Sequence, residues 1–304
     1  MSAVETRTET RERRFTRHGY ALALIGVTAV WGVTFPVVKD AVERVPPFEF
    51  LALRFALAAI VTTAIFAGQV RKLGREGVVA GALAGTTLFA GYAFQTVGLQ
   101  YTRASNAGFV TGLFVVFAPL FATLFLHRRP HFGAMLGVIL AVAGLALLSL
   151  TDHLHVRKGD AIVLFAAISF ALQIVLLARY APRHHPGALA AVQLWVTAVL
   201  SGLWSVSGEE WRAPTASVWG AVVITGLVAS AVAFTVQTAA QRHIGPTRTA
   251  VILTMEPVFA GLFGYLLLDE RLTLRGWIGA GLILAGMLVA ELWPRRASPE
   301  ERRS

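Results

Sequence analysis

The chain has 304 residues, 56% of them hydrophobic and 14% charged, where a soluble domain carries about 25% charged residues. It has no cysteine, which excludes disulfides, Cys-ligated zinc, iron–sulfur clusters and thiol nucleophiles. The formal charge of +10 would raise nucleic acid in a soluble protein. Here the charges sit in short gaps between apolar runs of about 20 residues, the length that crosses a hydrocarbon core about 30 Å thick as a helix. The partner implied is the lipid bilayer, and no nucleic acid is expected. Little chain is left over for a soluble domain, so function must lie inside the bundle.

Residues 1–19 form a basic tail with Arg7, Arg11, Arg13, Arg14 and Arg17. The apolar run after it exceeds the 7–15-residue core of a cleavable signal and reads as a retained helix. Ten spans follow: Tyr20–Val38, Pro47–Phe66, Gly77–Thr96, Ala104–Leu126, Phe132–Leu150, Ala161–Leu177, Leu189–Ser205, Val218–Thr238, Thr249–Leu268 and Gly276–Leu292. Turn signals separate several of them, among them Val45-Pro46-Pro47, Arg128-Arg129-Pro130, Arg183-His184-His185-Pro186 and Ile244-Gly245-Pro246. With the N-terminus inside, eighteen Lys and Arg fall in cytoplasmic segments and eight in outer ones, leaving Arg54 within a span. That bias is the positive-inside pattern. It predicts an even span count, both termini cytoplasmic, and a basic C-terminal tail at 293–304.

Polar residues inside the spans are the candidate functional groups. Trp31 and Thr34 lie at i and i+3, on one face of the first helix, where they line a cavity or where Trp31 anchors at the interface. Arg54 cannot shed its proton. It needs a partner or water, and Glu49 or Glu256 is the expected carboxylate. Gln95 and Gln237 occupy matching places in the third and eighth spans and should face the interior, as cavity lining or as interhelical hydrogen bonds. Asn106 and Gln173 are candidates of the same kind. Glu256 lies about nine residues into its span, about 13 Å deep. An ionised carboxylate at the midplane costs about 2.5–3.5 kcal/mol. It reads as a solute or proton-coupling site, or as a helix–helix hydrogen bond.

Pro36, Pro119 and Pro257 lie inside spans and are expected to kink them. Gly77, Gly81 and Gly85 repeat every four residues and read as a packing face. His127, His131, His153 and His155 sit in loops without the further ligands a metal needs, so no metal or other cofactor is expected. There is no G-x-x-x-x-G-K-[ST], which argues against nucleotide-driven chemistry, and no catalytic cluster stands out.

The halves match at an offset of 142 residues. Gln95-Thr96 corresponds to Gln237-Thr238, Gly137 to Gly279, Gly144 to Gly286, Arg129 to Arg271 and Leu140 to Leu282. Five spans, an odd number, separate the equivalents, so the second copy crosses in the opposite sense. Inverted repeats place a solute site near the midplane where the copies meet. The fold class expected is an all-α membrane protein of ten transmembrane helices. A first five-helix repeat covers 20–150, a linker 151–160, and a second repeat 161–292.

Trp31-Gly32-Val33-Thr34-Phe35-Pro36-Val37-Val38-Lys39, Leu53-Arg54-Phe55 and Tyr101-Thr102-Arg103-Ala104-Ser105-Asn106-Ala107 resemble motifs of the EamA-like branch of the drug/metabolite transporter superfamily. So does the stretch from Met255-Glu256-Pro257-Val258-Phe259 through Asp269-Glu270-Arg271-Leu272 to Gly279 and Gly286. The first half departs from it: His127-Arg128-Arg129 replaces Asp269-Glu270-Arg271, and Pro119 is four residues later than the position equivalent to Pro257.

The resemblance covers essentially the whole chain. It implies a secondary transporter in the cell inner (plasma) membrane, exporting amino acids, other metabolites or drug-like small molecules by alternating access. The cavity would lie between spans one, three, four, six, eight and nine, with five and ten packing. A proton or a counter-solute is the coupling partner it suggests, and a homodimer is compatible with it. The rivals are a non-transporting scaffold or subunit and a membrane-embedded lipid enzyme.

Overall fold

The computed structural model describes residues 3–102, 104–149, 158–208, 210, 212–268 and 273–293. Among the described residues, all regular structure is helical. The first half comprises α1 (Ala3–Arg44), α2 (Pro47–Ile65), α3 (Ala67–Arg71), α4 (Arg75–Leu99), α5 (Ala104–Gly112), α6 (Phe114–Leu126) and α7 (Phe132–Ser149). The second comprises α8 (Lys158–Tyr180), α9 (Pro186–Gly208), α10 (Ala216–Gly226), a π-helical stretch (Leu227–Val232), α11 (Ala233–Ala240), α12 (Pro246–Leu253), α13 (Glu256–Leu268) and α14 (Leu274–Leu292). Among the described residues seven helical segments are long and apolar enough to cross a membrane, and two shorter apolar ones, His18–Thr34 and Phe132–Leu148, accompany them. The remaining expected span, Thr249–Leu268, is divided between α12 and α13.

The halves share their interruptions. Adding 142 to the bounds of α5 and α6 gives 246–254 and 256–268, against α12 and α13 at Pro246–Leu253 and Glu256–Leu268. At both breaks the backbone tightens to an i→i−3 bond: Leu113 N–H donates to Val110 O at 3.2 Å, and Met255 N–H to Ile252 O at 3.0 Å. These are equivalent bonds. The proline expectation is therefore corrected. Pro257 does not kink a continuous helix; it stands in the first turn of α13, where a missing N–H leaves no helical bond unmade. The first-half break has no proline at all, and Pro119 lies inside α6, past it. Pro36 lies within α1, and its side chain is outside the described residues.

The two copies meet through helices that are themselves equivalents. A Cβ on Gly137 would lie 2.7 Å from Gly286 O, and one on Gly286 2.7 Å from Gly137 O. Gly144 and Gly279 approach in the same reciprocal way, at 2.5 and 2.7 Å. Position 137 is equivalent to 279, and 144 to 286. Each glycine thus packs on the partner's other glycine, which requires α7 and α14 to run antiparallel about a local two-fold axis. Backbones this close exclude any side chain, and close approach is what small residues contribute to helix pairing in lipid. Gly81 and Gly85 play a like part for α4 against α9, where a Cβ would lie 2.7 Å from Val192 Cβ and 2.5 Å from Gln193 O. Gly77 instead faces Leu73 and His184. On α1, Gly32 lets the helix touch α13 at Phe259 and Ala260.

Candidate functional site

A cavity of about 440 Å³ lies between α1, α2, α4, α5, α6, α8, α11, α12 and α13. That size lies within the range of small-molecule sites, about 300–1,000 Å³. Five pairs of its lining residues are equivalents at offset 142: Trp31 and Gln173, Tyr92 and Phe234, Gln95 and Gln237, Thr111 and Leu253, Phe114 and Glu256. The cavity therefore straddles the axis relating the halves. It also runs up to Val42, Pro47 and the exposed Glu43, so it opens at the face carrying the α1–α2 turn. Towards the other face its floor rests on one apolar core that includes Leu24, Phe114, Ile244, Val251 and Leu253.

Seven of the eight expected site residues line this cavity: Trp31, Thr34, Arg54, Gln95, Gln173, Gln237 and Glu256. The eighth, Asn106, has a side chain outside the described residues. Their chemistry differs from place to place. Thr34 spends its hydroxyl on its own helix, bonding Val30 O at 2.8 Å, and so presents mainly a methyl. Gln95 donates to Thr111 of α5 at 3.2 Å. Gln237 donates to Gln173 at 3.1 Å, and Gln173 donates onward to Gln193 at 3.2 Å.

Arg54 has neither expected carboxylate as a hydrogen-bond partner. Its Nε–H donates to Ser230 Oγ at 2.7 Å and an Nη2–H to Ala229 O at 3.4 Å. Both acceptors belong to the π-helical stretch. A π turn shifts the backbone bonding from i→i−4 to i→i−5, and the Ala229 carbonyl also receives the Trp31 indole N–H at 2.8 Å. The equivalent segment of the first half, α4, is continuous α-helix. Glu49 is buried in the first turn of α2 and accepts from the Arg212 backbone N–H at 3.0 Å. No ion pair within 4.0 Å joins Arg54 to Glu256. The cavity thus contains a guanidinium bonded only to neutral groups, and a carboxylate at the head of α13 for which no protein hydrogen bond is recorded among the described residues.

The walls carry Trp31, Tyr92, Phe170 and Phe234, with Phe55 buried behind them. Ring centroids run from Trp31 to Phe234 (5.5 Å), Phe234 to Phe55 (6.1 Å), Phe55 to Tyr92 (5.2 Å) and Tyr92 to Phe170 (5.5 Å). The Arg54 guanidinium carbon lies 5.6 Å from the Tyr92 ring centroid, within reach of a cation–π attraction. An apolar box with a few polar points is the usual make-up of an organic solute site.

The sequence reading missed two things. The second span enters the cavity through Pro47, Leu51 and Arg54, although the expectation left that helix out. Gln193 and Gln241 are buried and were passed over, though an amide inside a span is the signal that singled out Gln95. Spans five and ten pack as α7 and α14 and do not line the cavity. Among the described residues no group of three or more His, Asp or Glu is placed to hold a metal. His153 and His155 lie outside them.

The model of the EamA-like transporter family matches residues 18–150 and again 157–291. An "Uncharacterized transporter" of Archaeoglobus fulgidus is 35% identical over 271 residues, spanning 89% of this chain and 85% of its own length. The "Uncharacterized transporter YoaV" of Bacillus subtilis is 24% identical over 88% of this chain and 95% of its own. A solved crystal structure at 22% identity superimposes with a TM-score of 0.78 over 90% of this chain and 96% of that one, which extends the likeness to the fold. With its motif matched once in each half, the chain belongs to the EamA-like transporter family and is a multi-pass membrane protein.

Proposed function

We propose that the protein is a secondary carrier of small amphipathic solutes, zwitterions foremost, working by alternating access between two inverted repeats. The supporting observation is the cavity on the two-fold axis, with five equivalent pairs in its lining. When two copies of one fold adopt different conformations about a shared site, exchanging those conformations opens the site to the opposite face. On this reading α1, α2, α4, α5–α6 and α7 cross as one set of five. The segments α8, α9, α10–α11, α12–α13 and α14 cross as the other, with both termini cytoplasmic. The open face is then the outer one.

The charges favour the solute class. Arg54 offers a fixed cation for an acidic group, Glu256 an acceptor for an ammonium, and the aromatic walls a place for an apolar body. Glu256 also serves as the proton carrier when flux is coupled. Gln95 completes the polar lining from the first half. Direction of transport follows the gradient that drives it, and export is the direction the family resemblance suggests.

The test is counterflow in proteoliposomes, using a radiolabelled aromatic amino acid chosen by thermal shift of the purified protein. The native chain accumulates label against a preloaded gradient and responds to an imposed pH difference. Glu256→Gln loses the pH response and weakens exchange, since its amide oxygen still accepts from the ammonium but carries no charge. PH-driven flux unchanged in that variant removes Glu256 from coupling, and no counterflow with any zwitterion contradicts the solute class.

A further inference from the structure

We infer that a ladder of buried side-chain amides on α8, α9 and α11 is the gate that shuts the cavity from the face carrying the 241–245 turn. This rests on the carrier reading and identifies the part that controls access. The ladder begins in the cavity floor, where Gln237 donates to Gln173 at 3.1 Å. It continues away from the cavity as Gln173 donates to Gln193 at 3.2 Å and Gln193 donates to Thr238 Oγ1 at 3.4 Å. One turn on, Gln241 donates to Ile174 O at 2.7 Å. Gln173, Gln193, Gln237, Thr238 and Gln241 are all 2% exposed or less.

Symmetry distinguishes a gate from ordinary packing. The equivalents of Gln173, Gln193, Gln237 and Thr238 in the other half are Trp31, Leu51, Gln95 and Thr96. All four line the open cavity. In the first half all four places face the cavity, where Trp31 and Gln95 bond elsewhere, to Ala229 O and Thr111; in the second they are bonded to one another, and only Gln173 and Gln237 reach the cavity. Exchanging the halves' conformations would part the ladder and wet it. Its composition suits that step. Amides and hydroxyls bond one another when shut and bond water when parted, and the Gln237 and Gln241 side-chain oxygens, which have no partner among the described residues when shut, gain water on opening. A purely apolar floor would have to expose hydrocarbon to open, and a charged one would have to separate ions. Below the ladder the seal is apolar, with Ala240, Ile244 and Leu24 fully or almost fully buried. There, His243 stacks on Tyr20 at 4.6 Å.

The absence of cysteine in the native chain makes the test direct. Ala240→Cys places a single thiol beneath the ladder, and Val42→Cys a single thiol at the open mouth. Each is made in the full chain, reconstituted in vesicles, and labelled with an impermeant maleimide from the two faces separately. In the native background, Val42→Cys reacts quickly from its face and Ala240→Cys slowly from the other. Gln193→Leu removes two rungs and speeds Ala240→Cys labelling about tenfold, taking each membrane hydrogen bond as worth about threefold. Labelling of Val42→Cys falls in step.

Thr238→Val removes the last rung and gives about threefold, which keeps the test usable should Gln193→Leu fail to fold. If Ala240→Cys reacts in the native background and neither variant speeds it, the protein alternates but the ladder is not its gate. If Ala240→Cys reacts in no background, the cavity never opens to that face, and the carrier reading fails together with the gate.

Discussion

Gly144→Leu leaves too little folded protein to purify as a monodisperse species, whereas Gly281→Ala behaves as native. Both changes add side chain to a bilayer-depth helix, and only one has room for it. A Cβ at Gly144 would sit 2.5 Å from Gly279 O and 2.7 Å from Ile283 Cγ1, so α7 and α14 would have to part. Overpacking costs about 1–3 kcal/mol where side chains are able to shift. Here the nearest atom is backbone, and separating the pair also undoes the equivalent contact of Gly137 with Gly286. Gly281 has nothing within 4 Å of an added Cβ, and Ala is worth about 0.8–1.0 kcal/mol over Gly in a helix. Fluorescence-detected size exclusion with a thermal ramp reads both. A monodisperse Gly144→Leu with native thermal stability would show that the halves are not held by this pair.

Arg54→Gln is expected to fold and to lose solute exchange. The variant keeps a hydrogen-bonding end for Ser230 or the Ala229 carbonyl, so the π-helical stretch is not left with orphaned acceptors. It removes the cation. A hydrogen bond to a charged group is worth about 1.5–3 kcal/mol, which corresponds to a solute affinity about ten- to a hundredfold weaker. Arg54→Lys restores charge but not the two-point hold on Ser230 and Ala229, since an ammonium on a flexible stem lacks the planar fork. Partial recovery is expected from it. Equal affinities in native and Arg54→Gln protein would make the arginine a structural anchor alone.

Much of this architecture is visible before any coordinates. Runs of about 20 apolar residues read as spans because lipid forces every backbone group into internal hydrogen bonds. The repeat offset showed in Gly137, Gly144, Gly279 and Gly286 because a close backbone contact admits no other residue. The helix breaks did not show. Gly112 precedes Leu113, but a single glycine within a span marks close packing as readily as a break. The π-helical stretch was equally silent, because α10 through α11 occupies as many residues, 216–240, as its continuous counterpart α4. Arg54 is expected to seek a carboxylate or water because a guanidinium keeps its charge. Its acceptors come from a backbone distortion with no signature in side-chain type. Gln193 was legible by the same rule that found Gln95. It falls in the seventh span, which the family resemblance left out of the cavity, and indeed it lies beneath the floor.

All of these expectations depend on two antiparallel copies that each traverse the bilayer five times. The direct check adds one cysteine ahead of Met1 in one variant and one after Ser304 in another, and labels intact cells with an impermeant reagent. On the proposed topology, with both tails cytoplasmic, neither thiol reacts until the membrane is opened. Labelling of one tail but not the other in intact cells would mean an odd number of crossings, and the cavity would no longer have two mirror-related walls to exchange.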